Sequence, residues 1–290
     1  MSAPMIPIID NAADVGLARK AWLVDVWGVI HNGVRPFRES IAACSAFRKS
    51  GGYVVLVTNA PRPSQSVVAQ LDQIGVAREA YDAIVTSGDV TRGLIEAWKD
   101  RKIHHLGPER DRPLFADMNI DFVTTPEAEI VVCTGLHDDE TESPEDYRLM
   151  FERFLRKRAA MLCANPDLKV ERGDQIAYCA GALAKLYEEM GGDTIYAGKP
   201  HAPIYELAMG IVRSARGDDV ALGDVLAVGD GVLTDIAGAT SFGIDALYVG
   251  SGIHLSPDDW TPNSVAALFA DAEARGSGRP IAAMPRLSWS

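Results

Sequence analysis

The chain has 290 residues, of which 47% are hydrophobic and 23% are charged, and its formal net charge is −12. This length and composition are typical of a globular protein that has a sizeable core and room for two domains. The negative charge argues against a general surface for nucleic acid or anionic membranes, and no apolar run approaches the length of a membrane span. An anionic substrate would therefore need a local cation, either a metal ion or a lysine.

The cysteines and the N-terminal segment indicate a protein of the cytoplasm. The four cysteines are scattered without the CxxC spacing of zinc sites, so buried free thiols are expected. These cysteines are Cys44, Cys133, Cys163 and Cys179. The first ten residues lack the basic stretch and the apolar run of a secretory signal, and we therefore expect a cytoplasmic protein.

The N-terminal part of the chain alternates between strand and helix patterns. Residues 21–27 and 53–57 are apolar runs typical of strands that are buried on both faces of a parallel sheet, and 83–86 is a shorter strand. Helical spacing over 39–50 and 64–74 separates these strands. This alternation predicts an α/β fold with a doubly wound parallel sheet.

The middle of the chain, about residues 88–192, has strands and helices of its own. Further strands are predicted at 130–133 and 159–163, and further helices at about 144–158 and 180–190. The acidic run before the first of these helices ends in a capping box at Ser143, so we interpret it as a solvated loop rather than a metal site. A block of this size predicts an inserted domain.

The last third of the chain resumes the first pattern. Strands are predicted at about 195–197, 225–229 and 246–249, a helix is predicted at 203–213, and the tail from Gly276 is expected to be irregular. The predicted core domain therefore comprises residues 1–87 and 193–290, and the inserted domain comprises residues 88–192.

Polar side chains lie at or near the carboxyl ends of several of the predicted core strands. They are Asp25, Thr58, Asn59, Lys199, Asp230 and Asp235. Open α/β sheets bind ligands at the carboxyl ends of their strands, so these side chains are expected to share one crevice. Asp25 and Asp230 are suitable ligands for Mg²⁺, Lys199 can hold a phosphate oxygen, and the Thr58 hydroxyl suits another. Each residue has an ordinary structural explanation alone, and only their combination predicts a phosphate site.

At these positions the chain resembles the haloacid dehalogenase superfamily, and within it the class IIA, sugar-phosphatase-like branch. The resemblance extends over about residues 20–255. The four superfamily motifs match DVWGV at 25–29, LVTN at 56–59, GKP at 198–200 and GDGVLTD at 229–235. Two segments resemble the class IIA cap, namely NPD at 165–167 and CAGAL at 179–183.

The resemblance implies a Rossmann-like core and a mobile α/β cap, which is the inserted domain. It implies that Asp25 is the nucleophile and forms an aspartyl-phosphate. It also implies that Mg²⁺ is held by Asp25, the backbone carbonyl of Trp27 and Asp230, with Asp235 close by.

The remaining site residues are assigned by the same resemblance. Thr58 and Lys199 are expected to bind the phosphoryl group, and Asn59 is expected to contribute to catalysis and phosphoryl binding by orienting the nucleophile loop. The cap is expected to select the substrate through Asn165, Asp167 and the loop 169–173. The implied partner is a small phosphorylated metabolite rather than nucleic acid or membrane, and class IIA relatives often form homodimers through the cap.

Trp27 departs from the family pattern. Family phosphatases carry a second Asp at this position, two residues after the nucleophile, and it serves as general acid and base. An indole N–H has no useful acidity near neutral pH, so it cannot take this role. Loss of general acid–base catalysis typically costs about 10²–10⁴ in rate.

Three interpretations therefore stay open. The chain is a Mg²⁺-dependent phosphatase with a good leaving group or a surrogate acid such as His31, or it is a phosphotransferase or slow enzyme with a long-lived phosphoaspartate. Alternatively, it binds a phosphorylated metabolite with little or no turnover. A dehalogenase also lacks the second acid, but Asp230 and Asp235 favour a metal and disfavour this activity.

Overall fold

The computed structural model describes residues 5–172, 175–250, 255 and 260–289. Their contacts divide the chain into two compact units. The first unit combines the chain up to Thr58 with Val68–Val85 and the chain from Tyr205 onward, and the second comprises Asn59–Val67 and Thr86–Ile204. Identification of the second unit as a cap stays a prediction.

The strands and helices are numbered in chain order. The strands of the described residues are β1 (Ala21–Asp25), β2 (Tyr53–Thr58), β3 (Ala83–Thr86), β4 (Ile103–Leu106), β5 (Ile130–Cys133), β6 (Ala160–Cys163), β7 (Lys169–Arg172), β8 (Gln175–Tyr178), β9 (Thr194–Tyr196), β10 (Val225–Gly229), β11 (Asp245–Val249) and β12 (Ala282–Met284). The α-helices are α1 (Ala13–Gly16), α2 (Arg38–Lys49), α3 (Ser64–Ile74), α4 (Ser87–Ala97), α5 (Arg148–Arg156), α6 (Ala180–Glu189), α7 (Ala202–Arg216), α8 (Ala237–Phe242) and α9 (Pro262–Ala274).

The first unit is built on a six-stranded sheet in the order β12-β11-β10-β1-β2-β3. The registered pairs from β12 to β2 are all parallel, and they align Val24 of β1 with Leu56 and with Val228. The central strands β1 and β10 are buried along their whole length because both of their faces are covered. This register brings the carboxyl ends of β1, β2 and β10 to one edge, and the predicted α/β fold with a parallel sheet is confirmed.

Strand β1 is anchored by Trp22, which is fully buried. Its indole stacks on Phe47 at a centroid distance of 4.2 Å, and its Nε1–H donates to the Gly16 carbonyl at 3.2 Å. A Cβ atom on Gly16 would lie only 2.4 Å from the indole, so the close packing requires glycine there. These contacts fix the strand that carries Asp25.

The second unit has a sheet of its own, in the order β4-β5-β6-β9, with all registered pairs parallel. Its core includes the aromatic side chains of Phe151 and Phe154 from α5 and Tyr187 from α6. Phe151 meets Tyr187 edge to face at 5.3 Å, which is a favourable geometry for aromatic pairs. The capping box at Ser143 precedes a 3₁₀ turn that continues into α5, and the Ser143 N–H donates to Asp146 at 2.8 Å.

The prediction of a loop at 169–173 is wrong for residues 169–172, which are the part of this range that the structure describes. Lys169–Arg172 is strand β7, which pairs antiparallel with β8, and Gly173 lies outside the described residues. Backbone pairing stabilises this short hairpin without an apolar run, and the Lys169 ammonium lies 4.8 Å from the ring of its cross-strand partner Tyr178.

The irregular tail predicted from Gly276 is also wrong in part. Ala282–Met284 is β12, which pairs with β11 at the edge of the main sheet. Three small apolar residues are too short a run to predict a strand from sequence. No helix among the described residues is both long and apolar enough to cross a membrane.

Candidate active site

Three carboxylates come together in the first unit. Asp25 ends β1, Asp230 follows β10, and Asp235 lies in a π-helical turn just beyond. One carboxylate oxygen from each lies within 4.8 Å of the others, and the three residues are only 7%, 6% and 6% exposed, respectively. The sheet register explains the meeting of the first two, because β1 and β10 are parallel neighbours.

Glycines allow the carboxylates to approach the backbone. Gly28 has a φ of +89°, and a Cβ atom there would lie 2.1 Å from Asp230 Oδ2. A Cβ on Gly229 would lie 2.3 Å from the Asp235 side chain. The Gly231 N–H donates to Asp235 Oδ2 at 2.9 Å, so the backbone holds one oxygen of this carboxylate. The two acids after β10 are therefore fixed by glycines that lie within the quoted sequence motifs but to which the sequence assigned no role.

The π-helical turn Val232–Ile236 is stabilised by hydrogen bonds from side chains that are distant in the sequence. The Tyr205 hydroxyl lies 3.3 Å from the carbonyl of Asp235, and the Ser277 hydroxyl donates to the carbonyl of Val232 at 3.1 Å. Single π-helical turns often occur at functional sites. Nothing in the local sequence signals these two contacts, because the partners are 30 and 45 residues away from the turn.

The charges of this acidic cluster repel one another. Because these oxygens lie within 4.8 Å of one another, each pair of charged carboxylates repels by at least about 3 kcal/mol at an effective dielectric constant of ~20. Burial increases the cost, and a bound cation offsets it. Carboxylate oxygens are the ligands that Mg²⁺ and Ca²⁺ take in proteins, so the donor set fits a metal ion of this class.

Thr58 is the last residue of β2, which pairs with β1, the strand that carries Asp25. Asp25 is in register with Val57, so Thr58 lies one residue beyond this pair. Thr58 is buried. The carboxyl ends of β1, β2 and β10 thus place Thr58 at the same edge of the sheet as two of the carboxylates. This is the arrangement expected for Thr58 from the sequence.

Trp27 lies in a tight turn that follows β1. The Gly28 N–H donates to the His31 carbonyl at 2.8 Å, and the half-buried indole turns back so that its Nε1 is 3.5 Å from where a Cβ on Gly33 would be. The side chain therefore packs on the turn. Metal coordination by the Trp27 carbonyl stays a prediction.

His31 has a structural task in the same turn. It is buried, and its Nδ1 accepts a hydrogen bond from the Gly33 N–H at 2.8 Å. A proton on Nδ1 would break this bond, and burial lowers the pKa of the imidazole. Both features disfavour His31 as a surrogate general acid.

The second unit brings three other predicted site residues together. The Asn59 side-chain oxygen accepts from the Lys199 N–H at 2.8 Å, and its Nδ2 donates to the Lys199 carbonyl at 3.0 Å and to Asp167 Oδ1 at 2.9 Å. Asn59 and Lys199 are 7% and 4% exposed. Asn165 lies next to this network, where its side-chain oxygen accepts from the Asp167 N–H at 3.1 Å.

Two family models match the chain. One is described as a haloacid dehalogenase-like hydrolase and matches residues 22–121, and the other is described as HAD hydrolase-like and matches residues 196–272. Together they include Asp25, Thr58 and Asp230.

Two curated proteins are similar over most of the chain. A 5'-nucleotidase of Bacillus subtilis is 24% identical and covers 82% of this chain and 91% of its own length. An acid sugar phosphatase of Staphylococcus haemolyticus is 22% identical and covers 81% of this chain and 86% of its own length.

A solved structure is more similar still. A hydrolase of the haloacid dehalogenase-like family from Brucella suis is 43% identical, with a TM-score of 0.82. The match covers 97% of this chain and 100% of that one. Identity at this level over nearly the whole length, together with the acidic cluster and the parallel sheet, shows that the chain belongs to the haloacid dehalogenase-like hydrolase family.

Proposed function

We propose that the chain is a Mg²⁺-dependent phosphatase that hydrolyses a small phosphorylated metabolite through an aspartyl-phosphate on Asp25. The observation that carries the proposal is the buried cluster of Asp25, Asp230 and Asp235 at the carboxyl edge of the parallel sheet. The names of the two curated relatives, a 5'-nucleotidase and an acid sugar phosphatase, support phosphate monoesters as the substrate class.

The proposed reaction has two displacements at phosphorus. A carboxylate oxygen of Asp25 attacks the phosphorus atom, so that an O–P bond forms while the ester P–O bond breaks, and the leaving alkoxide takes a proton from solvent to become the alcohol. Water then attacks the same phosphorus atom and returns a proton to solvent, and the Asp25 O–P bond breaks. Inorganic phosphate leaves, and Asp25 returns to its carboxylate form.

Asp25, the backbone carbonyl of Trp27 and Asp230 would hold the Mg²⁺, with Asp235 in support. When bound, the ion offsets the negative charge of the carboxylates and of the phosphoryl oxygens. A bound cation is especially important for an anionic substrate here because the chain itself carries a net charge of −12.

The family resemblance assigns the remaining contacts. Thr58 would donate its hydroxyl hydrogen to a phosphoryl oxygen, and Lys199 would bind another as a positive charge. Asn165, Asp167 and the rest of the second unit would select the substrate. A cytoplasmic location, a homodimer through the second unit, and the absence of nucleic-acid or membrane partners stay predictions.

A specific observation favours a second candidate with slow or no turnover. Trp27 stands where the family acid is expected, and the Nδ1 of the neighbouring His31 is already engaged by Gly33. A phosphotransferase, or a protein that binds a phosphorylated metabolite and releases it unchanged, would tolerate this arrangement. The variants of Trp27 described below separate these functions.

The direct test is phosphate release from a panel of sugar phosphates, nucleotides and aryl phosphates, with Mg²⁺ and with a chelator. We expect release that the chelator abolishes, and a loss of more than about 10³-fold in Asp25→Asn. Asp219→Asn, whose side chain is 81% exposed, serves as the control. The proposal is wrong if no substrate yields phosphate or if Asp25→Asn retains the wild-type rate.

The glycine next to the cluster provides a matched pair of variants. Gly28 and Gly33 both have φ near +89°, so alanine at either position costs about 1–2 kcal/mol of backbone strain. Only Gly28→Ala places its Cβ against Asp230, at 2.1 Å, whereas the nearest atom at Gly33 is 3.5 Å away. We expect Gly28→Ala to weaken Mg²⁺ binding at least about tenfold by calorimetry, because it displaces a ligand.

Gly33→Ala should retain the metal affinity of the wild type within about threefold, since it does not contact a carboxylate. Equal affinities for Mg²⁺ in the two variants would show that the position of Asp230 does not matter for the metal. Thermal denaturation of both variants controls for loss of fold.

In the proposed mechanism, Trp27 limits the rate of turnover. We expect Trp27→Asp to raise the rate of hydrolysis by about 10²–10⁴, because a carboxyl group can protonate the leaving alcohol and then activate water. Trp27→Asn controls for removal of the indole, because asparagine has nearly the same size as aspartate but no acidic group. Equal rates in the two variants would contradict the assignment of an acid–base deficit to this position.

A further inference from the structure

We propose that Asn59 is a positioning residue for Lys199, and that it does not itself bind the phosphoryl group or orient the nucleophile loop. The inference deepens the proposed function and rests on it where activity is concerned. The sequence predicts a catalytic and phosphate-binding role for Asn59. In the structure, however, its side chain makes hydrogen bonds to the backbone of Lys199 and to the side chain of Asp167.

The side-chain amide of Asn59 makes hydrogen bonds to both backbone groups of Lys199. Its oxygen accepts from the Lys199 N–H at 2.8 Å, and its nitrogen donates to the Lys199 carbonyl at 3.0 Å. Two hydrogen bonds to one residue fix the position and the direction of its peptide groups. The Lys199 Cα, and with it the root of the ammonium side chain, is therefore held in place.

The orientation of this amide follows from chemistry. The Lys199 N–H can only donate and the Lys199 carbonyl can only accept, so the oxygen and nitrogen of Asn59 must lie as they do. Asp167 adds a third constraint, because its Oδ1 accepts the second Nδ2 hydrogen at 2.9 Å. Both amide hydrogens are thereby used within the second unit, so Asn59 Nδ2 has no hydrogen left to donate to a phosphoryl oxygen.

The surroundings of the amide are tightly packed. A Cβ atom on Gly198 would lie 2.4 Å from Asn59 Oδ1, 2.8 Å from Pro166 and 2.9 Å from Ser87 Oγ. Asn59 and Lys199 are both more than nine-tenths buried, so water does not compete effectively for these hydrogen bonds. Glycine before Lys199 is thus required by the approach of Asn59.

The contact also links two distant segments of the chain. Asn59 follows β2 directly and lies 140 residues before Lys199, which follows β9. Asn59 belongs by its contacts to the second unit, whereas the preceding Thr58 belongs to the first. The side chain of Asn59 thus makes its contacts in the unit that contains Lys199.

The first test measures amide hydrogen exchange at Lys199 and does not depend on activity. In Asn59→Ala the Lys199 N–H loses its acceptor, and we expect its exchange to become at least about tenfold faster. Asn11→Ala removes a comparable side-chain bond to a backbone N–H elsewhere, that of Ala13 at 2.9 Å, and should leave exchange at Lys199 unchanged. Unchanged exchange at Lys199 in Asn59→Ala would overturn the inference.

The second test is a double-mutant cycle with Lys199→Ala, with p-nitrophenyl phosphate as substrate. Small misplacement of a binding group can cost up to about 10²-fold, so we expect Asn59→Ala to lower kcat/KM by about 10–100-fold in the wild-type background. In the Lys199→Ala background the same change should have no further effect, because its target is gone. A loss of the same size in both backgrounds would show that Asn59 acts independently and would overturn the proposal.

The two tests separate failure of the inference from failure of the proposed function. If the wild type does not hydrolyse any phosphate ester, or if Lys199→Ala leaves no measurable rate, the exchange measurement alone decides whether Asn59 positions Lys199. If Lys199→Ala has the wild-type rate, the proposed role of Lys199 is wrong, while faster exchange in Asn59→Ala would still establish the contact. Circular dichroism of each variant confirms that it is folded.

Discussion

The crowding of three buried carboxylates at the end of the central strands is the constraint on which the site depends. Asp25 and Asp230 are brought together by the parallel register of β1 and β10, and Asp235 is added by the π-helical turn. This arrangement is electrostatically unfavourable by itself, and the fold maintains it through buried apolar strands and glycine backbone that leaves room for the acids. A site that stores such repulsion is suited to capture a divalent cation together with an anionic substrate.

Much of this site could be predicted because its residues follow buried strands. Continuous apolar runs identify β1, β2 and β10, and acids or hydroxyls at their ends then fall at one edge. The strands that the sequence did not reveal are short or polar. Strand β4 contains His104 and His105, β12 has three residues, and the β7-β8 hairpin is held by backbone pairing.

The supporting contacts of the site could not be predicted for a different reason. The contact of Asn59 with Lys199 spans 140 residues, and the requirement for Gly28 arises from Asp230, which is distant in the sequence. Residue type and local spacing carry no information about such pairs. The same holds for His31, whose position near Trp27 suggests an acid but whose Nδ1 accepts from a backbone N–H.

In the proposed reaction, Asp25 carries the phosphoryl group and Trp27 delays its release. The most direct measurement is acid-quench mass spectrometry after incubation with an aryl or acyl phosphate and Mg²⁺. We expect a phosphoryl adduct on the peptide that contains Asp25, and this adduct should accumulate in the wild type and be depleted in Trp27→Asp. Phosphate release without any adduct on Asp25, or an adduct that persists in Asp25→Asn, would contradict the proposed reaction.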